Sequence, residues 1–458
     1  MKILIKDSMG HKTVEFKPMR EGRVKLFVCG PTVYNLIHIG NARLFLVFDA
    51  FAKFLRSQGL EVFYVQNITD IDDKIIKEAK EENKPWKEIV ARYLSQYFKD
   101  TSSLGIDSVS LFARATNYIE EIIDQIKRLI LAGVAYETTD GVYFEVSKFT
   151  DYGRLSGQQL DKIRPGARVE ISEDKRSPSD FVLWKKMKPG EPYWESPWGK
   201  GRPGWHIEDT AITEALFGPE YDIHGGGSDL IFPHHEAEIA QMRSLSKSGY
   251  LSRYWMHVAM LNMKEDKMSK SLGNIITVAD ALKKHSVQAL RFFMLNTSFD
   301  SPLHYSEESL AAAEETVSRI SEFYRKLDSA RGSGKAGMVD VKRSRDAFMD
   351  AMANGFDTHA AMTVVLDLVT EMNRTMDRIG TRDRKEGIEF MNEVDSILGI
   401  VRKIGTGKGS EIVEKMISAR NEARKKGSYA LSDELRSILL QSGVAIQDNG
   451  PDTEWWFT

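Results

Sequence analysis

The chain has 458 residues, of which 42% are hydrophobic and 28% charged, and its formal net charge is -3. This length and composition predict an ordinary soluble protein of several domains. The charge excludes a basic surface over the whole chain, so any contact with nucleic acid must come from local patches. No apolar run approaches the roughly 20 residues that span a bilayer, and the charged start has no signal-peptide pattern, so we expect no membrane contact and a cytoplasmic location. The single cysteine, Cys29, excludes internal disulfides and a four-cysteine zinc knuckle.

The first hundred residues alternate between predicted strands and helices. An apolar strand over 24–29 ends at Gly-Pro, a helix follows over about 41–57, and a second strand covers 61–69. Two amphipathic helices come next, near 70–82 and 85–103. A strand, a helix and a strand in close succession predict a right-handed parallel unit of an α/β sheet.

An insertion interrupts this pattern between about 113 and 197. It contains a predicted helix over 117–133, a hairpin over 134–146 with Asp-Gly in its turn, and a polar stretch over 172–200. The α/β pattern then resumes with a helix near 209–217, a strand at 221–225 and a helix from Pro233.

The chain after about residue 305 is predicted to be almost entirely helical. A long amphipathic helix covers 306–330 with Ser306 as its cap, and a break follows at 331–337. More helices extend to about 404, and a linker at 405–410 leads into a small terminal unit. We find no internal repeats.

The sequence His38-Ile39-Gly40-Asn41 lies between the first strand and its helix, where α/β domains bind phosphates. Gly40 has no side chain, so a nucleotide base can lie against the backbone there. His38 would donate to phosphate oxygens. Four residues alone are a weak signal, and a histidine that merely caps a helix is the alternative.

A second motif, Lys267-Met268-Ser269-Lys270-Ser271, lies far along the chain. Two lysines beside small polar residues suit a loop over a polyphosphate, where ammonium groups offset the charge of departing pyrophosphate. The alternative is a solvated lysine-rich loop.

In this order, the two motifs resemble the HIGH and KMSKS signatures of class I aminoacyl-tRNA synthetases. The resemblance implies that Lys270 stabilises the transition state of adenylate formation with help from His38, while Asn41 replaces the usual second histidine. It assigns catalysis to His38, Asn41, Lys267 and Lys270, and ATP binding to His38, Gly40, Asn41, Lys270, Gly225, Gly226 and Gly227. The substrate carboxylate attacks the α-phosphate, so positioning and charge stabilisation perform the catalysis.

Four of the ten histidines fall within thirty residues, at positions 206, 224, 234 and 235. His234 and Glu238 are spaced i, i+4 on the predicted helix, so both point from one face and can hold a metal. The alternative is a packed histidine beside an acidic first helical turn.

The runs CGPTVYNLIHIGN, NITDIDDK, GRPGWHIE, DIHGGGSDLIFPHHE and KMSKSLGN together resemble cysteinyl-tRNA synthetases over nearly the whole chain. That family holds a zinc ion with two cysteines, a histidine and a glutamate. Cys29, His234 and Glu238 match this set, and Asp209 stands where the second cysteine is expected. Zinc binds a thiolate strongly and a neutral hydroxyl poorly, which would separate cysteine from serine where pocket size alone separates them weakly.

Asp209 is a permissible zinc ligand, but its oxygen is a harder ligand atom than the sulfur of the cysteine it replaces. We therefore expect weaker zinc retention and tolerance of other divalent ions. The alternative is that Asp209 is not a ligand and that water takes its place.

The resemblance also implies an α/β fold: a Rossmann-like catalytic domain with an inserted α+β subdomain, then a helical bundle and a small anticodon-binding domain. It implies that Trp205 closes over the cysteine side chain, that Thr69 and Asp229 hold the polar ends of the substrate, and that His224 lines the pocket with Gly225–Gly227. The expected domains are a split catalytic domain (1–112 and 198–252), a connective insertion (113–197), a KMSKS and stem-contact region (253–308), a helical bundle (309–404) and an anticodon-binding domain (405–458).

The terminal unit carries the local basic charge that the whole chain lacks. Residues 401–440 contain nine lysines and arginines against five acidic residues, which suits contact with phosphates. Trp455 and Trp456 would stack on unpaired anticodon bases. Solvated helix faces and simple tryptophan packing are the alternatives.

The expected partners are tRNA(Cys), ATP and L-cysteine, with one zinc ion per chain, Mg²⁺ bound with ATP, and a monomeric protein as is usual in the family. Two alternatives stay open. One is a related ligase that passes cysteine to an aminoglycosyl-inositol in mycothiol synthesis, which generally lacks a full anticodon-binding end. The other is a non-catalytic RNA-binding paralogue, which need not keep His38, Lys267 and Lys270.

Overall fold

The computed structural model describes residues 1–158, 174–246, 251–263, 276–330, 337, 339–402, 410–442, 444–449 and 452–457. Its strands are, in chain order, β1 (Leu4–Asp7), β2 (Lys12–Glu15), β3 (Arg23–Val28), β4 (Glu61–Ile68), β5 (Leu111–Arg114), β6 (Ala135–Glu137), β7 (Gly141–Phe144), β8 (Phe181–Lys186), β9 (Gly201–Pro203), β10 (Tyr221–Gly227), β11 (Ser252–Val258), β12 (Leu261–Met263), β13 (Leu303–Tyr305), β14 (Val444–Asn449) and β15 (Asp452–Phe457). Its helices are α1 (Ile39–Ser57), α2 (Asp73–Glu81), α3 (Trp86–Ser103), α4 (Ile119–Leu131), α5 (Trp205–Phe217), α6 (Glu236–Leu245), α7 (Val278–Leu282), α8 (Val287–Leu295), α9 (Glu307–Ser329), α10 (Val341–Ala353), α11 (Thr358–Thr375), α12 (Thr381–Leu398), α13 (Ser410–Lys425) and α14 (Tyr429–Gln441).

The chain divides into two compact units. The first comprises Met1–His285, Phe293–Ser309 and Ala347–Met362, and the second comprises Ser286–Phe292, Leu310–Asp346 and Thr363–Thr458. In the described parts of both units, no helix combines the length and apolar character needed to cross a bilayer.

The first unit is built on a sheet of five parallel strands in the order β11-β10-β3-β4-β5. The apolar strand β3 lies at its centre, and α1 buries an aromatic face that includes Phe45, Phe48 and Phe51. Each fully buried phenylalanine contributes roughly 1.5–3 kcal/mol. From β3 the chain proceeds in one direction to β4 and β5, and later in the other direction to β10 and β11. The carboxyl ends of β3 and β10 therefore form the switch point where open α/β sheets bind ligands.

The predicted insertion (113–197) contains three strands of a second sheet, which is antiparallel and ordered β6-β7-β8-β9. Its edge strand β9 lies just beyond the predicted end of the insertion. Helix α4 packs Ile122, Ile126 and Leu129 into the same core. The hairpin of β6 and β7 confirms the predicted one. Strand β8 was not predicted, because its apolar residues Leu183 and Trp184 are embedded in a polar stretch.

The second unit is mainly helical. Helix α12 packs closely on its neighbours at Gly387, where an added Cβ would lie 2.9 Å from Met372 Cε and 3.0 Å from Leu327 Cδ2. Ser306 caps the start of α9, since Ser309 N donates to Ser306 Oγ at 3.1 Å, as predicted. The predicted break at 331–337 and the linker at 405–410 lie almost entirely outside the described residues. The α/β fold class, with its inserted α+β part and helical C-terminal region, is confirmed.

The chain ends in a helical hairpin, α13 and α14, and a β-hairpin, β14 and β15. Trp455 is only 2% exposed, packs with Ile417 and Leu439, and donates from Nε1 to Glu414 Oε1 at 2.7 Å. The expectation that Trp455 stacks on bases is therefore wrong, because its ring fills the small core of this unit. The side chain of Trp456 lies outside the described residues.

Candidate active site

Four side chains that the family resemblance implies as metal ligands come together at the carboxyl end of the main sheet. Cys29 follows β3, Asp209 lies on α5, His234 lies in the wide turn before α6, and Glu238 lies on α6. Their donor atoms all lie within 4.8 Å of one another. Asp209 Oδ2 is 3.4 Å from Cys29 Sγ and 3.1 Å from His234 Nε2, and His234 Nε2 is 3.0 Å from Glu238 Oε1. The predicted i, i+4 pair therefore exists.

This set is buried, and no side chain exceeds 3% exposure. Burial and the neighbouring carboxylates raise the pKa of the Cys29 thiol. Burial raises the pKa of Glu238 to about 7, although His234 opposes the shift. Burial lowers the pKa of His234, but Glu238 and Asp209 outweigh it and raise that pKa to about 9. Charges of both signs are thus held together away from water.

The donor set fits a zinc ion. It offers one sulfur, one imidazole nitrogen and two carboxylates, all of which are zinc ligands. Among the described residues, neither carboxylate oxygen of Glu238 has a hydrogen-bond partner of acceptable geometry, although both are buried. A buried carboxylate without a donor is costly, and a bound cation removes that cost.

Asn67, at the end of β4, holds Asp209 and was not identified from the sequence. Its Nδ2 donates to Asp209 Oδ1 at 2.5 Å, and its Oδ1 accepts from the backbone N–H of Gly30 at 2.5 Å. One amide therefore links the loop after β3 to the carboxylate on α5. Because Oδ1 of Asp209 is occupied by this bond, Oδ2 is the oxygen that faces Cys29 and His234.

Histidines and aromatic rings surround the set. His206 Nδ1 lies 2.8 Å from His234 Nδ1, and Trp205 stacks on the His234 ring with centroids 4.1 Å apart. His235 Nδ1 lies 2.7 Å from His257 Nε2, and His257 was not singled out from the sequence. Burial lowers the pKa of His257 to about 3, so this ring is neutral.

A cavity of about 730 Å³ opens beside the cluster. Among the predicted site residues, those that line it are Cys29, His38, Asn41, Trp205, Gly227 and Asp229. The volume suits a nucleotide with a small substrate. The sequence therefore identified residues from four separate segments that line one space.

The described residues that line the cavity do not include the predicted site residues Thr69, His224 and Gly225. The buried Thr69 hydroxyl donates to Glu208 Oε2 at 3.1 Å. At Gly225 an added Cβ would lie 2.3 Å from the ring of Phe48, and at Gly226 it would lie 2.6 Å from His235 Cε1. Close packing thus requires glycine at both positions. His224 is buried beside Cys29, and its Nδ1 is 2.6 Å from the Tyr221 hydroxyl.

His38 and Asn41 lie at the start of α1, as predicted. His38 Nδ1 accepts from the backbone N–H of Asn41 at 3.2 Å, and Asn41 Oδ1 accepts from the backbone N–H of His38 at 3.3 Å. The two residues form a reciprocal helix cap. Gly40 lies in the same turn, where an added Cβ would lie 2.9 Å from His38 Nδ1.

Lys267 and Lys270 lie outside the described residues. The described chain after them returns to the first motif, because Ile39 N donates to Ile276 O at 3.0 Å and Val278 N donates to Ile37 O at 3.3 Å. The described chain before them is also close, since Arg43 of α1 donates to the carbonyl oxygen of Ala259 at 2.8 Å. The chain on both sides of the second motif therefore contacts the helix that begins with the first motif.

Comparisons with known proteins identify the family to which the chain belongs. Residues 15–315 match the family model described as the class I (C) tRNA synthetase catalytic domain, and residues 347–402 match the DALR domain. The cysteine--tRNA ligase of Thermoplasma volcanium is 49% identical over 99% of this chain and 100% of its own length. That of Clostridioides difficile is 40% identical over 96% of this chain and 97% of its own. The chain belongs to the cysteine--tRNA ligase family.

The solved structures support the fold of this family. A methionyl-tRNA synthetase from Mycobacterium tuberculosis, bound by methionyl-adenylate, aligns with a TM-score of 0.64 at 15% identity over 91% of this chain and 96% of that chain. At this identity the likeness concerns the fold alone. Together with the family models, it places the ligase chain in the class I architecture that the two motifs predicted.

Proposed function

We propose that this chain activates L-cysteine with ATP to cysteinyl-adenylate and transfers it to the 3'-terminal adenosine of tRNA(Cys), releasing AMP and diphosphate. The observation that carries the proposal is the buried set of Cys29, Asp209, His234 and Glu238 at the switch point of the sheet, beside a cavity that the first motif also lines. One site thus combines thiol-selective ligands with a phosphate-binding helix N-terminus.

These four residues would hold a zinc ion. Bound zinc supplies preferential coordination of the substrate thiol over a hydroxyl, which separates cysteine from serine. Asn67 keeps Asp209 Oδ2 turned toward Cys29, and Trp205 packs against His234. These contacts orient the ligand side chains before substrate arrives.

Trp205 and Asp229 would bind the amino acid. Trp205 lines the cavity next to the ligand set and covers the His234 ring, so it can exclude water from the substrate side chain. Asp229 is exposed to the cavity and supplies a carboxylate for the substrate ammonium group. Thr69 acts through Glu208, to which its hydroxyl donates.

His38 would bind the ATP phosphates as a neutral donor. Its Nδ1 accepts a backbone hydrogen bond, so the proton of the neutral ring is on Nε2. Burial lowers the pKa of His38, although Asp229 opposes the shift, which favours this neutral form. The substrate carboxylate attacks the α-phosphate and diphosphate leaves. Lys267, Lys270 and Mg²⁺ bound with ATP would offset the charge of the leaving group.

The terminal unit would bind tRNA through exposed lysines and arginines. Lys415, Lys425 and Lys426 are exposed on or just after α13, and Arg436 is exposed on α14. Arg420, by contrast, is buried and donates to both carboxylate oxygens of Asp448. The phosphate-binding surface is therefore a subset of the basic residues counted in the sequence. The monomeric state and the cytoplasmic location remain predictions.

Charging of tRNA(Cys) with labelled cysteine tests the proposal, with labelled serine as the control. We expect cysteine and not serine to become attached to tRNA. Cysteine-dependent diphosphate exchange without attachment would instead show that the acceptor is another molecule, as in a mycothiol-type ligase. The absence of both reactions would favour a non-catalytic paralogue.

A further inference from the structure

Arg43 is a fully buried arginine on helix α1. Its guanidinium group donates through two nitrogens to four backbone carbonyl oxygens. Nη1 lies 2.8 Å from the oxygen of Ala259 and 3.4 Å from that of Met260. Nη2 lies 3.1 Å from the oxygen of Ser298 and 2.9 Å from that of Ser301. One side chain therefore links α1 to two separate segments of the chain.

The two segments that Arg43 contacts are also bonded to each other. Ala259 N donates to Phe299 O at 2.8 Å, and Leu303 N donates to Met260 O at 3.1 Å. Directly after these contacts, β12 and β13 pair in parallel. Arg43 thus holds a small hydrogen-bonded unit of backbone against α1 at the point where β12 begins.

Strand β12 is the described element that precedes the second motif. It ends at Met263, and Lys267 and Lys270 follow four and seven residues later in the sequence. Helix α1 begins after its cap, His38, which lines the cavity. Arg43 therefore connects the helix that belongs to the first motif with the strand that leads to the second.

A guanidinium group is an expensive choice for this buried position. Burial lowers the pKa of Arg43 to about 10, although Asp300 opposes the shift, so the group stays charged at neutral pH. Asp300 itself is paired with Lys6. The four oxygens that accept from Arg43 are neutral carbonyls, and its buried Nε has no hydrogen-bond partner among the described residues. A buried charge without an ionic partner lowers stability, so packing alone would favour an apolar side chain here.

We propose that Arg43 is a positioning residue for amino-acid activation. Its forked contact fixes the start of β12 on α1, and so fixes the starting point of the chain that carries Lys267 and Lys270 relative to His38. The two guanidinium nitrogens hold different segments, and a lysine, with one nitrogen, cannot make the same contact. A displacement of about 1 Å at the reacting groups can lower a rate roughly 100-fold. The inference rests on the proposed function for the reaction that Arg43 serves.

Cysteine-dependent diphosphate exchange by Arg43→Lys tests this role. We expect kcat to fall about tenfold while the KM for cysteine stays unchanged, because the groups that bind the amino acid do not contact Arg43. Arg56→Lys is the matched control. Arg56 also lies on α1 and donates to the carbonyl oxygens of Val62 and Ser108, neither of which lines the cavity. It should lose stability without losing kcat. Equal losses of kcat in both variants would overturn the proposal.

A double-variant cycle identifies the group through which Arg43 acts. Lys270→Ala should itself lower kcat, because it removes a charge that offsets the departing diphosphate. If Arg43 positions the second motif, the two changes are coupled. Arg43→Lys should then lower kcat less than about threefold in the Lys270→Ala background, against about tenfold in the unchanged chain. Tenfold losses in both backgrounds would show that Arg43 acts elsewhere.

Backbone hydrogen exchange tests the contact independently of activity. In Arg43→Lys, the amides of Ala259 and Leu303 should exchange faster than in the unchanged chain, because the unit that they close is no longer held on α1. In Arg56→Lys, these two amides should not change. Equal exchange at both amides in Arg43→Lys and the unchanged chain would overturn the inference. A lack of diphosphate exchange by the unchanged chain would instead contradict the proposed function, so the two failures are separate results.

Discussion

His38 and Asn41 cap helix α1 reciprocally, each accepting the backbone N–H of the other through its side chain. This arrangement has a chemical consequence, because it places the proton of the neutral His38 ring on Nε2. The departure from a second histidine at position 41 is therefore compatible with the first motif. Asn41 occupies the third helical position, where the side chain of a capping box accepts the backbone N–H of the N-cap residue, here His38.

Two substitutions of Asn41 should distinguish its contribution to the helix cap from the effect of a charge at this position on ATP binding. Asn41→Ala removes the acceptor of one hydrogen bond and should destabilise the protein by about 1 kcal/mol. Asn41→Asp keeps the acceptor but places a negative charge beside the ATP phosphates, so the KM for ATP should rise at least tenfold with little loss of stability. Thermal unfolding and diphosphate exchange measure the two effects. Equal ATP kinetics in both variants would contradict this role.

Asp209→Cys should strengthen zinc binding. A second thiolate makes the set softer, and zinc prefers sulfur to a carboxylate oxygen. We expect at least a tenfold lower zinc dissociation constant in competition with a chelator, whereas Asp209→Asn should raise it by a similar factor. If native protein already retains stoichiometric zinc through prolonged dialysis against a chelator, the predicted weakness of the Asp209 set is wrong.

Asn67→Ala should weaken metal binding through Asp209. The variant leaves the buried Asp209 Oδ1 without its donor, and loss of such an outer contact typically lowers metal affinity 10- to 100-fold. A cysteine thiolate has no second atom for Asn67 to hold. In the Asp209→Cys background, Asn67→Ala should therefore lower the metal affinity by less than about threefold. Zinc competition in the four proteins of this cycle measures the coupling. Equal losses in both backgrounds would show that Asn67 acts only on the loop at Gly30.

The sequence predicted the parts of the site that depend on local spacing. His234 and Glu238 are four residues apart, so the local path of the chain brings them together, although α6 begins at Glu236 and not at Pro233 as predicted, and His234 lies in the wide turn before it. The first motif marks a strand end and a helix start, as predicted. Cys29 and Asp209 required the family resemblance, since 180 residues separate them. Their contact depends on how α5 packs beside β3.

The residues that were missed depend on the order of the strands. His257 reaches the cluster because β11 pairs with β10, which sets Gly226 opposite His257. Asn67 reaches Asp209 because β4 lies beside β3. No local pattern specifies either pairing. Trp455 was misassigned for a similar reason, because only the terminal β-hairpin shows that its ring is buried.

Asp73 should contribute stability that is lost in acid. Burial would raise its pKa, but Lys185 and Arg202 outweigh burial and lower it to about 2, against 3.8 when unperturbed. A depressed pKa stabilises the folded state above about pH 4, and the contribution disappears as the pH falls toward 2. The side chain is half exposed, so after solvent screening we expect about 1 kcal/mol.

Urea unfolding of Asp73→Asn between pH 6 and pH 3 measures this contribution. The difference from the unchanged protein should be largest at pH 6 and should shrink at pH 3. Asp124→Asn, which alters a more exposed pair with Arg128, is the control and should show a smaller change. A difference that is constant across the range would mean that Asp73 acts by packing and not through its charge.

Lys425 and Lys426 should bind tRNA, whereas Arg420 should stabilise the terminal unit. Both lysines are exposed, and Arg420 is fixed by Asp448 inside the unit. The double variant Lys425→Ala/Lys426→Ala should raise the KM for tRNA and reduce the salt dependence of binding by about one unit of log–log slope per lysine lost. Diphosphate exchange should not change, because the cavity is untouched. Lys326→Ala, which removes an exposed lysine of α9 with a similar i, i+4 acidic partner, is the matched control. If both lysine variants weaken tRNA binding equally, the contact is diffuse and the terminal unit has no special role in it.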